Sequence, residues 1–128
     1  MATEDRNTQI VKSFKCTAAM ATKYVSVMID TSAANTVKVP TAATDVPIGV
    51  ISCVGTTAGD LVDVVMFGIA KVKAGGTITR GDHVQIKDTT GEVKVLVATG
   101  YDIGVALETA ADHDIIEVFV NINGLPKA

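Results

Sequence analysis

Pro47-Ile48-Gly49-Val50, followed ten residues later by Asp60-Leu61-Val62-Asp63-Val64-Val65-Met66, is a phrase this chain writes twice. The second version is Asp102-Ile103-Gly104-Val105 followed by Asp114-Ile115-Ile116-Glu117-Val118-Phe119-Val120. The Ile-Gly-Val units lie 55 positions apart and the acidic-headed runs 54, so one residue is lost in the linking turn. In each copy a short apolar strand enters, a Gly/Ala/Asp/Thr turn reverses it, and an alternating strand returns. Catalytic machinery seldom duplicates in this way, whereas a β scaffold built from two hairpin-like units does. The repeat therefore points to a structural or binding module.

Outward from the repeat, the same short-strand rhythm continues. Tyr24–Ile29 and Thr36–Val39 alternate around the polar turn Thr31-Ser32-Ala33-Ala34-Asn35, and Pro40 and Pro47 bracket a loop because neither can donate to a sheet ladder. Gly68 predicts a bulge or bend between Leu61–Met66 and Ile69–Lys73. His83–Lys87 and Glu92–Val97 form a hairpin around Asp88-Thr89-Thr90-Gly91. About nine short strands with Gly-rich turns predict an all-β fold, a small barrel or sandwich with a duplicated hairpin unit. The competing arrangement is α+β, with the Ala-rich residues 16–23 extended into a packed helix. The expected organisation is an extended N-terminal arm over residues 1–15, loosely ordered or an edge strand, a β domain over 16–123, and a tail over 124–128.

A chain of 128 residues is one domain by length, and 48% of it is apolar. Val, Ala and Ile dominate, with three Phe, two Tyr and no Trp, so the core consists of many small branched side chains suited to a pleated surface. The net charge of −3 is mild and the basic residues are scattered, leaving no electrostatic footprint for nucleic acid. No apolar run reaches the roughly 20 residues of a membrane-spanning helix. The opening Met1-Ala2-Thr3-Glu4-Asp5-Arg6-Asn7 lacks the basic-then-apolar order of a secretory signal, so synthesis in a cytoplasm is expected.

The chemistry-bearing residues do not assemble into a site. Cys16 and Cys53 stand at unrelated positions with no C-x-x-C and no His at ligand spacing, which argues against zinc. They read as two partly buried thiols, with a Cys16–Cys53 disulfide as the alternative in an oxidising environment. His83 and His113 are far apart and read as surface turn residues, with Asp112, His113 and Asp114 pointing in different directions. Arg80-Gly81-Asp82 spells an adhesion tripeptide, but Gly-Asp before an alternating strand is ordinary turn chemistry. Ala74-Gly75-Gly76 opens no helix and so cradles no phosphate. Lys71 and Lys73 lie in a strand rather than at the hairpin tip of a lipoyl or biotinyl carrier. The chain is expected to be no enzyme, with no catalytic residues, cofactor or metal. Rival classes are a β module binding a small molecule or receptor, which five Phe and Tyr equip poorly, and a hydrolase or carrier domain without its nucleophile–base pair.

Taken in order, Gly59-Asp60, Val62-x-Val64, Phe67-Gly68-Ile69-Ala70-Lys71-Val72, Ala74-Gly75-Gly76-Thr77-Ile78, Gly81-Asp82-His83-Val84 and Ile103-Gly104-Val105-Ala106-Leu107-Glu108 form a further pattern. With the upstream Pro47-Ile48-Gly49-Val50, it resembles the small capsid cement, or head decoration, proteins of tailed bacteriophages over residues 24–122. The resemblance implies a non-enzymatic virion protein. Such a protein binds the outside of an assembled shell, often as a trimer at three-fold positions, and its partners are the major capsid protein lattice and copies of itself. On that expectation the capsid contact falls on the N-terminal arm, at Thr3, Glu4, Asp5, Arg6, Asn7, Gln9 and Ile10. An apolar row on the exterior, at Val93, Val95 and Val97, is the candidate trimer interface. The arm here is longer and more charged than the family's pattern.

Overall fold

Leu61 to Lys73 form one strand of 13 residues, and the rest of the molecule is arranged on its two halves. The computed structural model describes residues 9–19, 23–51, 57–97 and 100–122, which contain nine strands and no helix. In chain order these are β1 (Ile10–Cys16), β2 (Ser26–Ile29), β3 (Thr36–Lys38), β4 (Gly49–Ile51), β5 (Leu61–Lys73), β6 (His83–Ile86), β7 (Val93–Val95), β8 (Gly104–Ala106) and β9 (Ile115–Asn121). The all-β expectation holds. Two adjustments preserve the strand count: the two runs around Gly68 are one continuous strand, and residues 10–16, expected largely as arm, are a strand.

The sheet order β1-β3-β2-β4-β5 is closed by a further β1–β5 pairing, giving a five-stranded barrel. From the second half of β5 the sheet continues through β9, β8, β6 and β7. Val93 of β7 then returns to Ala74, the residue after β5, through a parallel bridge, and Gly75 N–H donates to Val93 C=O at 2.7 Å. The molecule is thus a pair of rings sharing β5. Each ring encloses its own core. Phe14, Cys16, Val27, Val37, Ile51, Val62 and Val64 fill the first, and Val72, Ile78, Val84, Ile86, Ile103 and Val118 lie within the second.

The side chains of β5 show the handover between cores. Val62 and Val64 point into the first core, Val65, Ala70 and Val72 into the second. Strict alternation would not allow that set. The register against β1 shifts between Val65 and Phe67, where β1 has only the consecutive pair Val11 and Ile10, so Met66 is the extra residue of a bulge. Gly68 follows with φ 112°.

The sequence repeat is a repeat of register. Val50 pairs with Val65 in β4–β5, and Val105 with Phe119 in β8–β9, at matching positions of the two copies. The glycine preceding each pair is forced by the same contact. A Cβ on Gly49 would lie 2.4 Å from Val65 O, and one on Gly104 would lie 1.9 Å from Phe119 O. Three turns also share one device: Asp60, Asp82 and Asp114 each accept a backbone N–H three residues back, from Thr57, Thr79 and Ala111, at 2.9–3.0 Å. The residue before each Asp has positive φ: Gly59 at 92°, Gly81 at 93° and His113 at 73°. Glycine takes that conformation freely, whereas for His113 it costs roughly 1 kcal/mol.

Asp30 fastens the first ring where β1 ends. Ser32 donates to its Oδ1 through Oγ at 2.7 Å and through N–H at 2.9 Å, and Thr17 Oγ1 donates to Oδ2. The Ser32 hydroxyl, then the Thr17 hydroxyl and the Ser32 amide, hold this carboxyl down from 3.8 to about 2. Asp45 and Asp88 are lowered in the same way, chiefly by the hydroxyls of Thr41 and Thr90.

Two tests follow from this framework. Gly104→Ala is expected to lower the free energy of urea unfolding by about 3 kcal/mol through overpacking against the β9 backbone. Gly76→Ala, whose Cβ would meet open space, should stay within about 0.5 kcal/mol. Asp30 is more acidic folded than unfolded, so its stabilisation is present above pH 3.8 and disappears as pH falls towards about 2. Asp30→Asn should lower stability at pH 7 and flatten the pH dependence of the melting temperature in that acid window; an unchanged acid limb would refute the assignment.

Candidate interaction surface

The described residues offer surface chemistry rather than a catalytic centre. β1 lies along the first half of β5, with Ile10 facing Phe67 and Val11 facing Val65. Only Phe14 and Cys16 of this strand are buried; Ile10 is 59% exposed and Val11 also faces outward. Next to them, Phe67 and Ile69 project from the outer face of β5, and Phe67 meets Phe119 of β9 edge-to-face with ring centroids 5.4 Å apart. Together these side chains make an apolar strip at the outer junction of the two rings. A cleft of about 430 Å³ adjoins it, lined by Gln9, Val11, Tyr24, Ile69, Lys71 and Glu117 among others. Gln9 closes one end by donating its side-chain amide to the backbone carbonyl of Ile69. Tyr24, held at φ 66°, forms another wall.

Of the arm residues expected to touch a partner, Gln9 and Ile10 sit at this strip and cleft. Thr3, Glu4, Asp5, Arg6 and Asn7 lie outside the described residues. The row Val93, Val95, Val97 is not evenly exposed. Val93 is fully buried in the second core, which corrects its placement on the exterior, while Val95 and Val97 are exposed. The ladder with β6 ends at Val95, so the alternation of the sequence outlasts the strand. Cys16 is buried in the first core, where its thiol donates to Thr57 C=O at 3.4 Å. Cys53 lies outside the described residues, and the pairing with it.

The remaining motifs have structural roles. Asp82 of Arg80-Gly81-Asp82 spends one carboxylate oxygen on the Thr79 N–H, and the Ala106 N–H donates to its backbone carbonyl at 2.8 Å. His83 Nδ1 lies 2.7 Å from Asp102 Oδ2 on the molecular surface. Asp63 accepts a hydrogen bond from Ser13 Oγ at 2.8 Å, tying β1 to β5. Residues able to hold a metal come together in one place among those described: Glu92, Asp112 and His113, whose ligand atoms lie within 4.8 Å of one another. Glu92 carries no signal in the sequence, because a single carboxylate at the head of a valine strand reads as a solvated end.

Two closed rings of small β-branched residues with an exposed apolar strip make a β scaffold that presents contact surface. Residues 8–122 match the phage cement protein family, and the chain belongs to that family. It is accordingly a phage structural protein associated with the capsid. Among solved structures it is similar to the head fiber gp8.5 N base in bacteriophage phi29, with a TM-score of 0.61 and 18% sequence identity. That match covers 89% of this chain and 95% of the other, a likeness of fold. No curated protein matches the chain.

Substituting the strip should separate surface from scaffold. Ile69→Asp, on an exposed position of β5, is expected to change the unfolding free energy by less than about 1 kcal/mol, in contrast to Val72→Ala in the second core, which should cost about 2 kcal/mol. Comparable losses for the two would mean that the strip belongs to the core.

Proposed function

We propose that the chain is a decoration subunit that binds the outer surface of an assembled phage capsid and stabilises its lattice, as a trimer at three-fold or quasi-three-fold positions. It is made in the host cytoplasm and carried on the exterior of the virion. The observation that carries this reading is the family match over nearly the whole described fold. The surface supports it: the apolar strip of Ile10, Phe67 and Ile69 lies where the N-terminal segment joins the rings, so a contact begun by that segment continues onto folded surface. Thr3, Glu4, Asp5, Arg6, Asn7, Gln9 and Ile10 are the proposed capsid contacts. Val95 and Val97, exposed at the end of the β6–β7 hairpin, are the proposed self-association contacts. A trimer engaging several capsid subunits gains affinity by multivalency, so each patch needs only modest strength.

Light scattering of the purified chain and co-sedimentation with empty expanded capsids test both parts. A mass near three times 13.2 kDa that pellets with capsids is expected. Removing residues 2–8, which leaves β1 intact, should reduce pelleting at least tenfold without changing the melting temperature. Val97→Asp should lower the mass while leaving the fold. A monomer that ignores capsids refutes the reading; unchanged pelleting of the shortened chain refutes only the role of the N-terminal segment.

A further inference from the structure

Glu92 is a buried carboxylate whose cationic neighbours all stand at long range. Its side chain is 8% exposed, yet Lys73 Nζ stands 3.5 Å from Oε2, Lys87 Nζ 4.0 Å from Oε1 and His113 Nδ1 3.5 Å from Oε2. These separations exceed the 2.7–3.2 Å of ordinary N–H···O hydrogen bonds. A carboxylate so enclosed normally has close donors, because desolvation without them is costly. On the other side of the imidazole, Asp112 Oδ2 lies 3.4 Å from Nε2.

The separation is the one a small cation needs. Two ligand atoms bound tetrahedrally at about 2.1 Å stand about 3.4 Å from each other, close to the 3.5 Å between Nδ1 and Oε2. We propose that Glu92 Oε2 and His113 Nδ1 bind a divalent transition-metal ion of the zinc class. Asp112, which is 55% exposed, supplies a third ligand by turning about its own side chain. An imidazole with carboxylates selects zinc, nickel or copper over magnesium and calcium, which favour oxygen ligands throughout. Lys73 and Lys87 compete for the same carboxylate, so they lower the affinity and must swing aside; both are about one-third exposed and have room to do so.

The site sits on the seam that closes the second ring. Glu92 precedes Val93, whose carbonyl receives the Gly75 N–H, and the His113 N–H donates to Ala74 C=O at 2.8 Å. A bound ion would join the β6–β7 hairpin to the β8–β9 turn across that seam. This inference does not depend on capsid binding.

Calorimetric titration and thermal melting of the tag-free chain at pH 7.5, with ZnCl2 up to about ten times the Kd, test it directly. Expected are one equivalent bound and a melting temperature raised by a few degrees, with MgCl2 producing neither. His113→Asn keeps a residue that tolerates positive φ and should lose binding at least tenfold, whereas His83→Asn should retain it. Glu92→Gln should also lose binding; if that variant does not fold, the two histidine variants decide alone. Absence of zinc binding by the wild type, or equal binding by His113→Asn, overturns the proposal.

Discussion

Everything in this molecule hangs on the backbone hydrogen bonding of β5. A strand has two edges and two faces, and β5 uses all four. Along its first half it holds β1 on one edge and β4 on the other; along its second half it holds β9. Its side chains supply apolar groups to both cores: Val62 and Val64 fill the first and Ala70 and Val72 the second, while Val65, beside the bulge at Met66, adds a second-core residue out of alternation. Small rings of this kind leave little room at their centre, which explains why valine rather than phenylalanine dominates the filling. The same tightness forbids a Cβ where β4 and β8 cross their partners.

That economy suits a protein of the cement family. Ring closure pairs strand edges that would otherwise invite association with other chains. Most contacts within each ring join residues distant in sequence, so local loosening is resisted by the whole ring rather than by one hairpin. The outward face of β5 is then free to carry exposed apolar side chains. Phe67 and Ile69 remain in water on a strand whose alternate residues Gly68, Ala70 and Val72 are buried, an expensive placement unless something else covers them.

The duplicated phrase made the architecture legible because it carries register as well as composition: the Val50–Val65 and Val105–Phe119 pairs are already matched in the spacing of the two copies. The Gly59-Asp60 and Gly81-Asp82 turns were legible for a similar reason, since the positive φ and the capping carboxylate leave a chemical mark. β1 was largely hidden. Ile10 to Ser13 are all exposed, and only Phe14 and Cys16 of the strand are buried, so its lead resembles an arm. Val93 misled in the opposite sense, because a Val-x-Val-x-Val row does not disclose where its ladder stops. The cluster of Glu92, Asp112 and His113 depends on ring closure, which brings residues twenty positions apart to one seam, and no local pattern announces it.

The shared strand also sets the order in which the chain can mature. β1 precedes both of its partners, residues 36–37 and 61–67, so it cannot take its place until they have been made. β5 in turn stays uncovered along its second half until β9, beyond β6, β7 and β8 in the chain, arrives. Neither ring can close from local contacts alone, which predicts slow folding governed by long-range pairing. During that interval the valine-rich edge of β5 is the part of the nascent chain most in need of protection from its neighbours.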